Sequence, residues 1–427
     1  MSMLKTCAIG ATTLLALMSA AAAEPITIEV AHPWPAHNRF HDPIAEEFMK
    51  LHPDIKIHFR APAANYMDGH QEILREALTK TLPDVWHTGY HMLPELVHTL
   101  SERGEIAELT PFMTAEGDAW VKANYSQDVL KHGQVDGKQW GMPFNASTPI
   151  VFYNLDLVTK AGGDPANLPT DWEGVIALAK KIRATGGNVD GMAYEASEWG
   201  DDYLWQAIVY NFNGEMMNEA KTKVTFDSEA GLKAVTLLRR FVTETEMPFL
   251  NEDQAEQQFV AGKLGIFVTS TSAVRGFKSA IGENFKWKTT GYPIADKQHG
   301  GVTTGGNAMV ILTQDPAKQK AAWEYVKFAT GPEGQKIAVL GSGYMPTNLQ
   351  AEGPDYLGKF YAENPDWTTS VKQWPVARKW FGYPGNTGVR IWREQKAILA
   401  QIMRGEVTPE AGLKTLTETT QSLCAIN

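Results

Sequence analysis

A regular alternation of short extended and helical segments near the start of the chain limits its fold more than any other feature. Ile26-Thr27-Ile28-Glu29-Val30 alternates apolar and polar residues as a strand does. Past Pro33 and Pro35, the residues Ile44, Phe48 and Leu51 recur at helical spacing from Pro43 onward, until Pro53 stops the pattern. Ile55-Lys56-Ile57-His58-Phe59 alternates again, residues 69–80 predict a second helix, and Pro83-Asp84-Val85-Trp86 a third strand. Strands separated by single helices demand right-handed crossovers and an α/β sheet. The same reading predicts helices over 229–246, 254–262, 316–330, 391–403 and 409–424 and strands over 264–268, 287–293 and 309–312. An extended stretch over 141–154 lies between them, and Thr170 with Glu173 has the spacing of a capping box. With 427 residues there is material for more than one core, yet no Gly/Ser linker divides it. Two α/β lobes joined by ordered crossing strands satisfy both facts.

The first 23 residues have the build of a cleavable export signal. Lys5 precedes an apolar stretch through Leu14-Leu15-Ala16-Leu17-Met18, and Ala21-Ala22-Ala23 supplies small residues at the cleavage position. Removal after Ala23 leaves 38 Lys and Arg against 49 Asp and Glu, a formal charge of −11. It also leaves Cys424 as the one cysteine, so no internal disulfide is expected. A periplasmic location fits, and the acidic balance argues against a nucleic-acid partner. No cofactor is expected.

Signatures of chemistry are sparse. Nucleophile-elbow, zincin, P-loop and dinucleotide-binding motifs do not occur. Nine of the eleven histidines fall between His32 and His98, and His37/His41 and His87/His91 are each four apart. On a helix that spacing would suit zinc. Gly89 interrupts one pair and no acidic residue completes either set, so surface and loop histidines are the favoured reading and no metal is expected. A secreted carbohydrate-active hydrolase stays open as an alternative, since 49 acidic residues could hide an opposed carboxylate pair.

Motifs in the middle of the chain carry a resemblance. Asp136-Gly137-Lys138-Gln139-Trp140-Gly141-Met142-Pro143 is followed by Tyr153-Asn154-Leu155-Asp156, Lys160-Ala161-Gly162 and Pro169-Thr170-Asp171-Trp172. Further on stand Phe259-Val260-Ala261-Gly262-Lys263, Gly305-Gly306, Phe328-Ala329-Thr330-Gly331-Pro332-Glu333 and Gly343-Tyr344-Met345-Pro346-Thr347. In this order they resemble the extracellular solute-binding proteins of carbohydrate ABC importers over nearly all of the exported chain. Pro143-Phe144-Asn145-Ala146-Ser147-Thr148-Pro149 is most similar to the glycerol-3-phosphate-binding branch.

The resemblance implies a two-lobed α/β fold of the type II periplasmic binding protein class. Lobe I would comprise 24–147 plus 292–330, and lobe II 148–291 plus 331–427. A ligand, either a sugar or an anionic glycoside or glycerol phosphate, would be enclosed between the lobes and delivered by a monomer to the permease subunits of an importer at the inner membrane. Carried over by position, the branch's ligand contacts fall on Tyr66, Ser147, Ser270 or Ser272, the Gly305-Gly306 backbone and Arg390, with cleft aromatics at Trp199 and Tyr203. Two positions depart from the pattern: Tyr90 stands where the branch has an acidic residue, and His32-Pro33-Trp34 replaces an aromatic-His pair. A larger sugar or an anionic glycoside would use the same frame. Residue chemistry agrees in kind. Sugar faces pack on aromatic rings, and Trp34, Tyr90, Trp199, Tyr203 and Tyr344 lie in or beside predicted loops; core packing is the competing role for each. Arg390 has the fork geometry for a phosphate or carboxylate, although an interlobe ion pair would use it equally well.

Overall fold

The computed structural model describes residues 24–424. Strands β1 (Ile26–Ala31), β2 (Ile55–Phe59) and β3 (Val85–Gly89) are parallel, with β1 between the other two. Helix α1 (Asn38–Leu51) connects β1 to β2 and buries Phe40, His41, Ile44, Ala45 and Phe48, one face at i, i+4 spacing. It starts five residues before the sequence predicts and carries Pro43 inside it. Helix α2 (Tyr66–Thr79) also starts earlier than predicted, at the Asn65 cap, whose side chain accepts the Asp68 N–H.

The predicted extended stretch is two strands in two different sheets. β4 (Met142–Ser147) runs in the first sheet, and β5 (Pro149–Asn154) opens the second, with only Thr148 between them. Pro149, lacking an N–H, stands at the start of its strand, where a ladder donor is least needed. The second sheet adds β6 (Asp190–Tyr194), β7 (Leu264–Ser270) and β8 (Trp287–Gly291) in the order β8-β5-β7-β6. The chain then returns to the first sheet as β9 (Val302–Ile311), ten buried residues antiparallel to both β3 and β4.

Helix α3 (Trp172–Ala184) is capped one residue later than the motif suggested. The Asp171 side chain accepts the Gly174 N–H at 2.8 Å, and Glu173 instead forms a two-toothed pair with Arg240. Helix α4 (Tyr203–Asn211) had no signal in the sequence. All nine of its residues are buried, so no amphipathic period marks it. Helices α5 (Glu229–Thr245) and α6 (Glu252–Val260) complete the second lobe's first half.

The C-terminal third does not belong wholly to the second lobe. Helix α7 (Pro316–Ala329) packs in the first core, and α8 (Pro332–Ser342) packs on α1 while placing Ala338 in the first core and Val339 in a second-lobe cluster. β10 (Ala377–Lys379) pairs with β9 in the first sheet, which corrects the expectation that 331–427 lies in lobe II. Helices α9 (Gly388–Arg404) and α10 (Pro409–Cys424) do pack on α5.

One side chain ties two crossings together. Buried Gln373 donates from Nε2 to Thr148 Oγ1 (2.5 Å) and to the Pro149 carbonyl (3.0 Å), while its Oε1 accepts the Tyr292 N–H (2.6 Å). The sheets thus change at Thr148 and between Gly291 and Val302, with Gln373 bridging both places. Among the described residues no helix is long and apolar enough to cross a membrane. The export signal expected over residues 1–23 lies outside the described residues.

Candidate functional site

Strand ends build the floor of a cleft between the lobes. Ser147 closes β4, Ser270 closes β7, and the register sets Gly305 of β9 opposite Ser147 and Pro149 opposite Ser270. Three strands from two sheets therefore end at one junction, and Tyr203, the first residue of α4, lies over it. A Cβ on Gly305 would sit 2.7 Å from both Ser147 Oγ and the Tyr203 ring, so only glycine leaves this floor open. The cavity has a volume of about 350 Å³, in the range of small-molecule sites.

Aromatic rings from both lobes form the walls. From the first come Trp34, Tyr66 and Trp380; from the second, Trp199 and Tyr203. Trp380 sits 5.5 Å from the Tyr203 ring and 6.2 Å from that of Tyr66, and Trp34 meets Tyr66 edge-on at 6.0 Å. Trp34 holds this place in the left-handed region, at φ 68°, a strained conformation for a bulky residue. The Tyr66 hydroxyl accepts from Asn307 Nδ2 at 3.1 Å, which leaves its own proton for another acceptor. Tyr344 completes the wall through His37, 3.3 Å from its hydroxyl.

Charge in the cleft is predominantly acidic. Asp201, Glu252, Asp253 and Glu256 line it, against Arg39 as the one Lys or Arg among the described lining residues. Burial, followed by repulsion from Glu256 and Asp253, pushes the Glu252 carboxyl up to about 8. Burial first and Asp202 second hold Asp201 well above the usual carboxylate range. Glu252 and Asp253 occupy the first turn of α6, where the helix N-terminus offsets part of that cost.

Four histidines that the sequence suggested were superficial belong to the interior, and one of them, His37, lines the cavity. His32, His37, His41 and His87 are buried, with His41 stacked on His32 at 4.0 Å and 4.6 Å from His87. They pack against Phe40, Phe59 and Phe144 because a neutral imidazole behaves there as one more ring. His87 Nδ1 lies 3.1 Å from Asn307 Oδ1, an acceptor, so this nitrogen carries the proton. Among the described residues no three His, Cys, Asp or Glu side chains are disposed to hold a metal ion.

Ten of the twelve residues singled out in the sequence line the cleft: Trp34, Tyr66, Ser147, Trp199, Tyr203, Ser270, Ser272, Gly305, Gly306 and Tyr344. Two do not. Tyr90 is fully buried and spends its hydroxyl on the Asn145 carbonyl at 2.8 Å, a core role. Arg390 is exposed in the first turn of α9, away from the cleft, and makes no ion pair among the described residues. The cleft's cation is Arg39, hidden from sequence reasoning on an unremarkable helix. Asp201 and Trp380 were also missed. Asp201 was within reach, standing between the two aromatics Trp199 and Tyr203 already chosen.

Comparison with known proteins agrees with this geometry. Residues 43–369 match the family described as bacterial extracellular solute-binding protein. The sn-glycerol-3-phosphate-binding periplasmic protein of Agrobacterium fabrum is 23% identical over 345 residues, 79% of this chain and 78% of that one. Among solved structures, the UgpB protein of Mycobacterium tuberculosis in complex with glycerophosphocholine superimposes with a TM-score of 0.80, at 18% identity, over 94% of this chain and 98% of that chain. An ABC substrate-binding protein of Listeria monocytogenes in complex with cycloalternan gives 0.79, at 19% identity, over 95% and 100%. The chain belongs to the bacterial extracellular solute-binding protein family, and its fold is the two-lobed one of these structures.

Proposed function

As a member of that family, we propose, the chain is the periplasmic substrate-binding component of an ABC importer and captures a small sugar or glycoside between its lobes. The observation that carries this reading is the cleft itself, with aromatic walls contributed by both lobes around hydroxyls and backbone groups at the strand ends. A ligand touching both walls stabilises whichever arrangement brings the lobes around it, and the permease would recognise that arrangement. No chemical step is required. Relatives named for glycerol-3-phosphate keep a glycerol phosphate within the class, but four carboxyl groups against one arginine offer a phosphate little to pair with.

Calorimetry and tryptophan fluorescence across mono- and disaccharides and glycerol phosphates should give saturable one-to-one binding with no product formed. Steady release of product from an oligosaccharide would make the chain a hydrolase instead. Arg390→Ala should leave the affinity for any of these ligands within about twofold, since the side chain is exposed and outside the cleft. A loss of binding in that variant would return Arg390 to the site.

A further inference from the structure

The acidic side of the cleft contains more unmet acceptor capacity than a neutral sugar needs. Asp201 is 5% exposed and lines the cavity, with Oδ1 accepting the Tyr203 N–H at 3.2 Å and Oδ2 without a donor among the described residues. Glu195, outside the cavity lining, is 4% exposed with both carboxyl oxygens unpartnered among the described residues. The Glu195 carbonyl accepts the Trp199 N–H, and the charges of Glu252, Glu256 and Asp253 bear on its side chain. Buried carboxyl oxygens left unpaired are costly, and structures retain them where a ligand supplies the missing donors. Asp201 shares the cavity lining with the aromatic rings of Trp199 and Tyr203, whose centroids are 6.1 Å apart. Aromatic faces attract cations, and a carboxylate beside them adds full charge.

We propose that the ligand is an amino sugar whose protonated amine sits against Asp201, beside Trp199 and Tyr203. The inference rests on the binding reading above and names the substrate class of that site. An ammonium with N–H bonds is required rather than a quaternary one. The vacant acceptors of Asp201 need hydrogen-bond donors, which a trimethylated nitrogen lacks. The excess of carboxylates over Arg39 separates an ammonium from a hydroxyl, since a hydroxyl fills an acceptor but neutralises nothing. Burial raises the pKa of Asp201 and Glu252, and an ammonium beside them would favour their ionised form.

The test compares the β-1,4 disaccharide of glucosamine with its N,N'-diacetyl form, with cellobiose and with glycerophosphocholine, by calorimetry at pH 6.5 on the full exported chain. The free-amine disaccharide should bind at least tenfold more tightly than the other three. Asp201→Asn should abolish that preference, and a thermal melt like the parent's reports that the variant is folded. Equal or tighter binding of the acetylated or neutral sugar would overturn the inference and leave the importer reading standing. Tighter binding of glycerophosphocholine would overturn the requirement for N–H donors, and a preference unaffected by Asp201→Asn would overturn the site. Failure of all four probes to bind would overturn both readings.

Discussion

Replacing Gly306 with alanine should destabilise the protein by about 3 kcal/mol and remove ligand binding with it. Gly306 has φ 124°, a conformation closed to residues with a side chain. A Cβ there would also lie 2.1 Å from the Asn145 carbonyl oxygen and 2.9 Å from Asn145 Oδ1. Both obstacles are on the neighbouring strand β4, and the oxygen is backbone, so nothing can swing aside. Relief requires β4 and β9 to separate where Ser147 and Gly305 form the cleft floor. Gly137→Ala is the control: φ is 77° but no atom lies within 4 Å, so only conformational strain of about 1 kcal/mol applies. Urea unfolding of the two variants beside the parent checks this. Equal losses would mean that the close approach to Asn145 is not what fixes the glycine.

Acid should unfold this protein sooner than its acidic composition suggests. Burial lowers the affinity for protons of His32, His37, His41, His87, His91 and His132, with His87 and His132 brought to about 3. Unfolded histidines titrate near 6.5, so below that pH the unfolded chain takes up protons that the folded one refuses. Stability from these groups is complete above pH 6.5 and falls by about 1.4 kcal/mol per pH unit for each as pH drops. Glu195, pushed up to about 9, Glu252, to about 8, and Asp201 act with the opposite sign. They hold protons in the folded state that the unfolded state releases, so their penalty grows as pH rises toward 9. Stability should therefore peak near pH 6.5–7. Below it six histidines act against five buried carboxyls, Glu256 and Asp202 (raised to about 6) among them, for a net fall of the order of one group, about 1.4 kcal/mol per pH unit. Denaturant midpoints from pH 8 to 5 test the shape. His41→Phe, which exchanges one ring for another against Phe144, should flatten the acid limb by about one group. A midpoint unchanged between pH 6.5 and 5 would contradict the buried neutral histidines.

The elements that could be read from the sequence were those whose pattern faces one side. Strands β1 and β2 and helices α5 and α10 appear within a residue or so of their predicted ranges, because each has a clear buried face. Helix α4 was invisible for the opposite reason, being apolar all round. The site divides in the same way. Glycines and serines at strand ends could be placed through motif order, since backbone geometry constrains them. Arg39, Glu252 and Glu256 are ordinary surface-type residues until two lobes bring their helices to one cleft, and no local pattern records that meeting. Arg390 illustrates the converse, a residue with apt chemistry that α9 points elsewhere.

Gln373 gives the molecule a property beyond the stability of its own hydrogen bonds. Two segments joining the lobes could in principle flex separately, letting the halves twist and slide as well as open. With Thr148, Pro149 and Tyr292 held by one amide group, displacement at either segment is passed to the other within a single side chain. The two segments are then coupled to each other, alongside the later passages between the lobes through α8 and β10. A coupled joint of this kind favours opening of the lobes over sliding of one past the other.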